Sequence, residues 1–220
     1  MTKENMNNEK FWSTIEDWPT DLTISAEFCE NTSLHEKIYE ECEKFDDWIH
    51  SFDLAEKADE ELVYNLTTTS GSDMSRWEHL KKVQFSREAA MNGAYGIAPD
   101  DGEWESWWIA PQKEDFPTIH QFMEENPRYR NPTIHKLGAN NVLFSHNHGP
   151  DPQFLYNMSI NEVEGGKLAI YPTGVVPYKP GDIYKLYVNN DHAVINGNET
   201  RYHALFKGGR IHHVDAGRIN

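Results

Sequence analysis

The chain has 220 residues, of which 36 are acidic and 20 basic, so its formal net charge at pH 7 is −16. This charge opposes non-specific binding to nucleic acid or anionic lipid, and no apolar run approaches the roughly 18 residues that a transmembrane helix needs. The first residues, MTKENMNNEK, lack the pattern of a secretory signal, and Cys29 and Cys42 match no metal or redox motif, so we expect reduced thiols and a cytoplasmic protein.

Helical patterns dominate the sequence before residue 130. Residues 33–52, SLHEKIYEECEKFDDWIHSF, open with Ser33 and Glu36 at the spacing of a capping box and keep apolar residues at helical intervals. Residues 72–93 predict a second helix that ends at an Asn-Gly pair. Residues 118–126, TIHQFMEEN, predict a short third helix that a following proline stops.

After residue 130 the pattern changes to short strands separated by turns rich in glycine and asparagine. The predicted strands are TIHKL (133–137), VLFSH (142–146), FLYNMSI (154–160), KLAIYP (167–172), DIYKLYV (182–188), HAVIN (192–196), RYHALF (201–206) and RIHHV (210–214). This pattern predicts a jelly-roll core, or double-stranded β-helix, with the helices packed on one outer face. We therefore expect an α+β fold with a mainly helical portion over residues 1–130 and a jelly-roll core over residues 131–220, which together form one structural domain.

Two segments of the predicted core carry a candidate metal site. In VLFSHNH, His146 and His148 are two residues apart, so on a strand both imidazoles can face one centre. His192 and Arg201 begin successive strands, and the NGNE turn between them is a hairpin signal that predicts the two side by side. Neutral imidazoles bind Fe(II) or similar metals with positions left open, and an arginine fork binds a carboxylate. Together these features indicate a 2-oxoglutarate-dependent oxygenase.

The segment from about Thr133 to Phe206 resembles the aspartyl/asparaginyl β-hydroxylase family. LGANNVLFSHNHGP matches the family's first motif with His146 as metal ligand, and KPGDIYKLYVNNDHAVINGNETRYHAL matches the second, with His192 as the other ligand and Arg201 as the arginine about ten residues later. The resemblance implies a dioxygenase that uses Fe(II) and 2-oxoglutarate, with ascorbate as a reductant. His146 and His192 would hold the iron, and Arg201 would bind the far carboxylate of 2-oxoglutarate.

The sequence departs from the family pattern at two places. Many relatives have an acidic residue two positions after the first histidine, where this chain has His148, which is open to interpretation as a third ligand, a neighbour of the site or a residue that points away. The family's Arg-x-His pair on the next strand is replaced by Leu155-Tyr156-Asn157, so Asn157, with Tyr156 as a second candidate, would take over part of the co-substrate binding. His203 shares a strand face with Arg201 and fits either the site or the core.

The predicted activity is hydroxylation of an amino-acid side chain, either in a free amino acid or in a peptide or protein. We expect no nucleic-acid or membrane partner. The alternatives are a cupin-type metal-binding barrel with other chemistry, a non-catalytic relative, and an interaction protein whose histidines are incidental. The aromatic run WESWW, residues 104–108, predicts core packing or a lid, with the lining of the substrate pocket as a further alternative.

Overall fold

A computed structural model describes residues 24–50, 105–148 and 153–210 of the chain. Its elements in chain order are β1 (Ala26–Asn31), α1 (His35–Lys44), β2 (Ile49–His50), β3 (Ser106–Ile109), α2 (Pro117–Glu125), β4 (Thr133–Leu137), β5 (Val142–His146), β6 (Gln153–Ser159), β7 (Lys167–Ile170), β8 (Gly174–Val175), β9 (Asp182–Leu186), β10 (His192–Ile195) and β11 (Arg201–Arg210). Within these three ranges, no helix has the length and apolarity required to cross a bilayer.

The strands form two antiparallel sheets that pack against each other. The larger sheet has the order β1-β9-β6-β11-β4-β3-β2, and the smaller sheet has the order β5-β10-β7-β8. From β4 to β11 the chain alternates between the two sheets, except that β7 and β8 are both in the smaller one. This alternation is the jelly-roll arrangement, so the predicted core fold is confirmed.

The strand predictions after residue 130 agree with the structure to within a few residues. The first two, 133–137 and 142–146, coincide with β4 and β5, whereas β11 runs four residues beyond its predicted end at Phe206. The predicted strand RIHHV overlaps the described residues at Arg210, the last residue of β11, and its remainder lies outside them. The predicted helix over residues 72–93 also lies outside the described residues.

The predicted helix over residues 33–52 is too long. Helix α1 ends at Lys44, and Ile49–His50 forms strand β2, which pairs with β3. The reason lies in the connection, where the indole of Trp48 donates a hydrogen bond to the carbonyl oxygen of Phe45 (2.7 Å) and the two rings pack edge to face. This turn reproduces the helical i, i+3 spacing of apolar residues without a helix. The predicted capping box is also not formed, because no side chain caps the helix start at Leu34.

Strands from before residue 130 belong to the same sheet as the later strands. Strand β1 pairs with β9, and β3 pairs with β4, so both extend the larger sheet. Neither strand was predicted from the sequence. The described part of residues 1–130 therefore contributes three strands and two helices to the structure.

The larger sheet separates two hydrophobic clusters. On its outer face, helices α1 and α2 pack against alternate residues of β11, namely Tyr202, Ala204 and Phe206. On its inner face, Leu137 and Leu186 pack against residues of the smaller sheet. Full burial of an aliphatic or aromatic side chain contributes about 1.5–3 kcal/mol, so both clusters stabilise the fold. Because strand residues alternate in direction, Arg201 and His203 of β11 face the interior between the sheets.

Candidate metal and co-substrate site

The register of the smaller sheet brings the two predicted metal histidines together. His192, the first residue of β10, is directly opposite His146, the last residue of β5. Directly opposed residues of antiparallel strands have Cα atoms about 4.5–5.5 Å apart. Val194 is opposite Leu143, so two residue steps along β10 match three along β5, which is the register shift of a β-bulge. The side chain of His146 is not among the described side chains, so its metal ligation stays a prediction.

The ring of His192 has a defined tautomer. His192 is buried, and its Nδ1 lies 2.9 Å from the carbonyl oxygen of Asn190. A carbonyl oxygen can only accept, so Nδ1 carries the proton and the lone pair of the neutral ring is on Nε2. Metal-binding histidines usually donate their second nitrogen to a carbonyl or carboxylate in this way, which orients the ring. His192 therefore has the protonation pattern of an Nε2 metal ligand.

His148 lies beside His192 rather than pointing away from it. Strand β5 ends at His146, and the backbone N–H of His148 donates to the carbonyl oxygen of Val188 (2.8 Å). The ring centroids of His148 and His192 are 5.1 Å apart at an interplanar angle of 57°. Two imidazoles bound to one metal at about 2.1 Å have centroids about 4.5–5.2 Å apart for ligand angles between 90° and 110°. The observed separation fits this range.

The described side chains supply part of a metal-binding set. Among them, no group of three or more His, Cys, Asp or Glu side chains is close enough to hold a metal ion. His148 and His192 form a pair, and the backbone of His146 is opposite His192 in the strand register. Two or three neutral imidazoles suit Fe(II) and other borderline metals. The pair of His148 and His192 thus fits such a metal, and ligation by His146 stays a prediction.

Arg201 places a buried positive charge between the two sheets. Arg201 is buried, with 8% of its surface exposed. Nε donates to Nε2 of His203 (2.7 Å), and Nη1 lies 3.5 Å from the carbonyl oxygen of Lys167 on β7. None of the ion pairs between described residues includes Arg201. Burial lowers the pKa of Arg201 to about 10, so the guanidinium remains charged at neutral pH.

The prediction that His192 and Arg201 are side by side in a hairpin is wrong. Strand β10 belongs to the smaller sheet and β11 to the larger one, so the two residues lie on opposing sheets. The connection is held by the side-chain amide of Asn196, which donates to the carbonyl oxygens of Leu137 and Gly138 at 3.0 and 2.7 Å. Arg201 is therefore placed across the interior from the histidines.

A chain of hydrogen bonds links Arg201 to the predicted co-substrate residue Asn157. Nδ1 of His203 is 2.5 Å from Oδ1 of Asn157, and both side chains are buried. Burial and the neighbouring Arg201 charge lower the pKa of His203 well below its usual range, so the ring is neutral. Tyr156, by contrast, packs on the outer face against the Tyr129 ring, 5.0 Å away, so it takes no part in this interior site.

Tyr178 was missed by the sequence analysis. It lies in the segment TGVVPYKPG between the predicted strands 167–172 and 182–188, and its hydroxyl is buried without a hydrogen-bond partner among the described residues. Its ring meets the ring of His203 edge to face, with centroids 5.2 Å apart. Burial raises the pKa of Tyr178, and the positive charge of Arg201 opposes that rise. No periodic pattern in the sequence marks this tyrosine as an interior residue.

The interior continues as an aromatic wall on the neighbouring strands. His135 of β4 is opposite His203 of β11, and Trp108 of β3 stacks on His135 with ring centroids 4.1 Å apart. Oγ of Ser106 is 2.8 Å from Nε2 of His135. Trp107, the adjacent residue, faces the other way and contacts His50. Of the WESWW run, Trp108 therefore faces the interior, and Trp104 lies outside the described residues.

A separate groove of about 280 Å³ lies on the outer face of the larger sheet. Its lining includes Arg128, Arg130, Phe154, Tyr156 and Lys207. Because Tyr156 and Asn157 point to opposite faces of β6, the sheet lies between this groove and the Arg201 site. The cationic side chains of the groove therefore provide surface controls for variants of the interior.

Comparison with known proteins gives similarity in fold alone. No family model and no curated protein matches the sequence. Similar solved structures include a 2OG-Fe(II) oxygenase family oxidoreductase from Burkholderia pseudomallei (TM-score 0.39, 13% identity, 64% of this chain and 91% of that chain). A prolyl-4-hydroxylase from Pseudomonas putida has a TM-score of 0.46 and 11% identity, over 91% of this chain and 98% of that chain. HygX from Streptomyces hygroscopicus, with nickel and 2-oxoglutarate bound, has a TM-score of 0.38 and 10% identity, over 50% and 72%.

These values are too low to carry an argument about function. The narrower resemblance to the aspartyl/asparaginyl β-hydroxylases stays a prediction.

Proposed function

We propose that the protein is a non-haem iron dioxygenase that uses 2-oxoglutarate to hydroxylate an amino-acid side chain, either free or within a peptide or protein. The observation that carries the proposal is the buried guanidinium of Arg201. It has no acidic partner among the described residues. Arg201 and Tyr178 both contact His203, and the buried Tyr178 hydroxyl has no hydrogen-bond partner among the described residues. A histidine pair lies on the opposing sheet.

The energetics of these groups favour an anionic ligand. An ion buried without a counter-charge costs several kcal/mol, and a buried hydroxyl without a partner costs about 1–3 kcal/mol. A carboxylate bound at Arg201 would compensate the charge and accept a hydrogen bond from Tyr178. The interior therefore has the chemistry of a carboxylate site that requires its ligand for full stability.

The spacing between Arg201 and the histidines suits a short dicarboxylate. Arg201 contacts Lys167 at one end of β7, and His192 pairs with Ile170 at the other end. Three residue steps along a strand are about 10 Å, so the two groups lie at the two ends of one interior. 2-Oxoglutarate has a keto-acid group at one end and a carboxylate at the other, which matches a metal site and an anchor on opposing sheets.

The residues of the site would have separate roles in the proposed reaction. A metal held by His192, His146 and His148 would supply the oxygen-activating chemistry when bound. Arg201 and Tyr178 would bind the far carboxylate and fix its orientation, while the apolar residues between the sheets exclude water. The alternative is a barrel that binds metal and acid without turnover. The presence of His148 where many relatives of the resembled family have an acidic residue favours this alternative.

The proposal predicts that Fe(II) and 2-oxoglutarate bind together. Under anaerobic conditions we expect a weak visible charge-transfer band on addition of both, and succinate release once O₂ is admitted. Arg201→Gln should weaken 2-oxoglutarate binding by about 10–100-fold, because a hydrogen bond to a charged group contributes about 1.5–3 kcal/mol. Titration of the band measures the affinity.

Arg130→Gln is the matched control, since Arg130 is an exposed arginine on the outer groove and its loss should leave the titration unchanged. A band without succinate release supports the non-catalytic barrel. No band and no 2-oxoglutarate binding by the wild-type protein contradicts the proposal. Mass spectrometry of amino acids and lysate peptides, scored for the gain of one oxygen, would then identify the substrate.

A further inference from the structure

The hydrogen bonds around His203 have one possible direction. A guanidinium has donors and no acceptor, so Nε of Arg201 must donate to Nε2 of His203. The imidazole proton is then on Nδ1, from which it is donated to the carbonyl oxygen Oδ1 of Asn157. A protonated His203 would lose the acceptor that holds Arg201 and would place two cations in contact. These hydrogen bonds therefore require a neutral His203 ring.

The hydrogen bonds from Arg201 through His203 to Asn157 determine which edge of the Arg201 guanidinium can bind a ligand. A guanidinium can grip a carboxylate with two parallel hydrogen bonds, either through Nε and one Nη or through both Nη atoms. The bond from Nε to His203, at 2.7 Å, uses the first edge. The contact of Nη1 with the Lys167 carbonyl is long, at 3.5 Å, and occupies little of its donor capacity. The terminal edge thus remains for an anion.

The surroundings of His203 hold its ring in place. The edge of Tyr178 meets one side at 5.2 Å with an interplanar angle of 90°. Ser159 on β6 and His135 on β4 are the residues directly opposite His203 on its two neighbouring strands. With both ring nitrogens bonded and strands on each side, the imidazole has little freedom to turn, and the Arg201 fork is fixed with it.

We infer that His203 is a positioning residue that presents the terminal edge of Arg201 to a distal carboxylate, and so makes the site selective for dicarboxylic over monocarboxylic 2-oxo acids. The inference depends on the proposed function, because it concerns the co-substrate of that same site. It adds the residue that gives the arginine its orientation and the ligand feature that this orientation selects.

Two substitutions at His203 separate positioning from general packing. The side chain in His203→Gln can accept from Arg201 through its oxygen and donate to Asn157 through its nitrogen, whereas His203→Leu can do neither. The affinities of 2-oxoglutarate and of 2-oxopentanoate, which has the same chain length without the distal carboxylate, are measured anaerobically with Mn(II) in place of iron. The readout is the dissociation constant of 2-oxopentanoate divided by that of 2-oxoglutarate, which measures the preference for the dicarboxylic acid.

We expect this ratio to fall roughly tenfold in His203→Leu and to stay within about twofold of the wild type in His203→Gln. An equal weakening of both acids in His203→Leu would indicate a merely structural role and overturn the inference, as would an unchanged ratio. If His203→Leu does not fold, Asn157→Leu takes its place, because it removes the acceptor that orients the imidazole, and the ratio should again fall several-fold.

Failure of the proposed function has a different signature. A wild-type protein that binds neither acid contradicts the proposed function, and this inference falls with it. A wild-type protein that binds both acids equally keeps a metal-dependent 2-oxo acid site but overturns the assignment of Arg201 and His203 to the distal carboxylate.

Discussion

Removal of the buried Tyr178 hydroxyl should have opposite effects on the stability of the ligand-free protein and on its affinity for 2-oxoglutarate. Because that hydroxyl has no partner among the described residues, Tyr178→Phe should raise the free energy of unfolding of the ligand-free protein by up to about 1 kcal/mol or leave it unchanged. The same substitution should weaken 2-oxoglutarate binding roughly tenfold, through loss of a hydrogen bond to a carboxylate. Thermal unfolding with and without metal and 2-oxoglutarate measures both effects.

Tyr129→Phe is the matched control for this substitution. The hydroxyl of Tyr129 donates to Glu30 at 2.5 Å on the outer face of the sheet. Its removal should destabilise the protein and leave the affinity for 2-oxoglutarate unchanged. If Tyr178→Phe behaves in the same way as Tyr129→Phe, Tyr178 has no role in the carboxylate site.

The neutral state of His203 predicts a pH dependence of stability. An unfolded histidine titrates near pH 6.5, whereas burial lowers the pKa of folded His203 well below that value. Below pH 6.5 the unfolded chain therefore binds a proton that the folded protein does not, so stability falls as the pH falls. Between pH 7.5 and pH 5.5 this one group should therefore lower the free energy of unfolding by roughly 1 kcal/mol.

Urea unfolding of the wild type and of His203→Gln at the two pH values isolates this contribution. The stability of the wild type relative to the variant should decrease by that amount at the lower pH, because the other titrating groups are common to both proteins. A difference that is independent of pH would show that folded His203 titrates as it does in the unfolded chain.

At the scale of single residues, the sequence offered as candidates those that belong to a spaced motif. His146, His192 and Arg201 are recognisable from their positions within two short segments, and the structure brings the two histidines into register. Tyr178 could not be found in this way, because its importance comes from a missing hydrogen bond that exists in the folded state alone. The role of His203 likewise depends on the position of Asn157 on another strand.

At the scale of elements, two adjacent glycines at the β6–β11 register shift differ sharply. A Cβ on Gly208 would lie 1.9 Å from the carbonyl oxygen of Phe154, whereas a Cβ on Gly209 would meet the Phe154 ring at 3.5 Å, an ordinary contact. We expect Gly208→Ala to destabilise the protein by about 1–3 kcal/mol and Gly209→Ala to change stability by less than about 0.5 kcal/mol. Urea unfolding of the pair tests this, and equal effects would contradict the close approach of β6 and β11.

Element prediction succeeded where the sequence has one dominant local signal. Strands β4 and β5 were predicted to the residue because turn residues bound their apolar runs on both sides. The helix over residues 33–52 was extended too far, because the Phe45–Trp48 turn repeats helical spacing. Strands β1 and β3 were missed, since each forms by pairing with a distant strand and has no turn signal of its own.

At the scale of the whole molecule, the jelly roll was predictable from the number of strands, but the path of one connection was not. The segment between His192 and Arg201 has the composition of a hairpin turn, yet it crosses from the smaller sheet to the larger one. Sequence alone does not distinguish these paths, because the crossover is fixed by bonds from Asn196 to backbone atoms near residue 138. Facing sheets lie about 10 Å apart, so this connection sets the separation of histidines and arginine across the interior.

Strand β11 lies inside the larger sheet, between β6 and β4, and its two faces have different tasks. Tyr202, Ala204 and Phe206 pack against the helices, while Arg201 and His203 face the interior between the two sheets. The requirements of folding and of the proposed ligand binding therefore fall on alternating residues of one ten-residue strand. A one-residue insertion near the start of β11 would move each set of side chains to the opposite face of the sheet. The helix packing and the interior site would then be lost together.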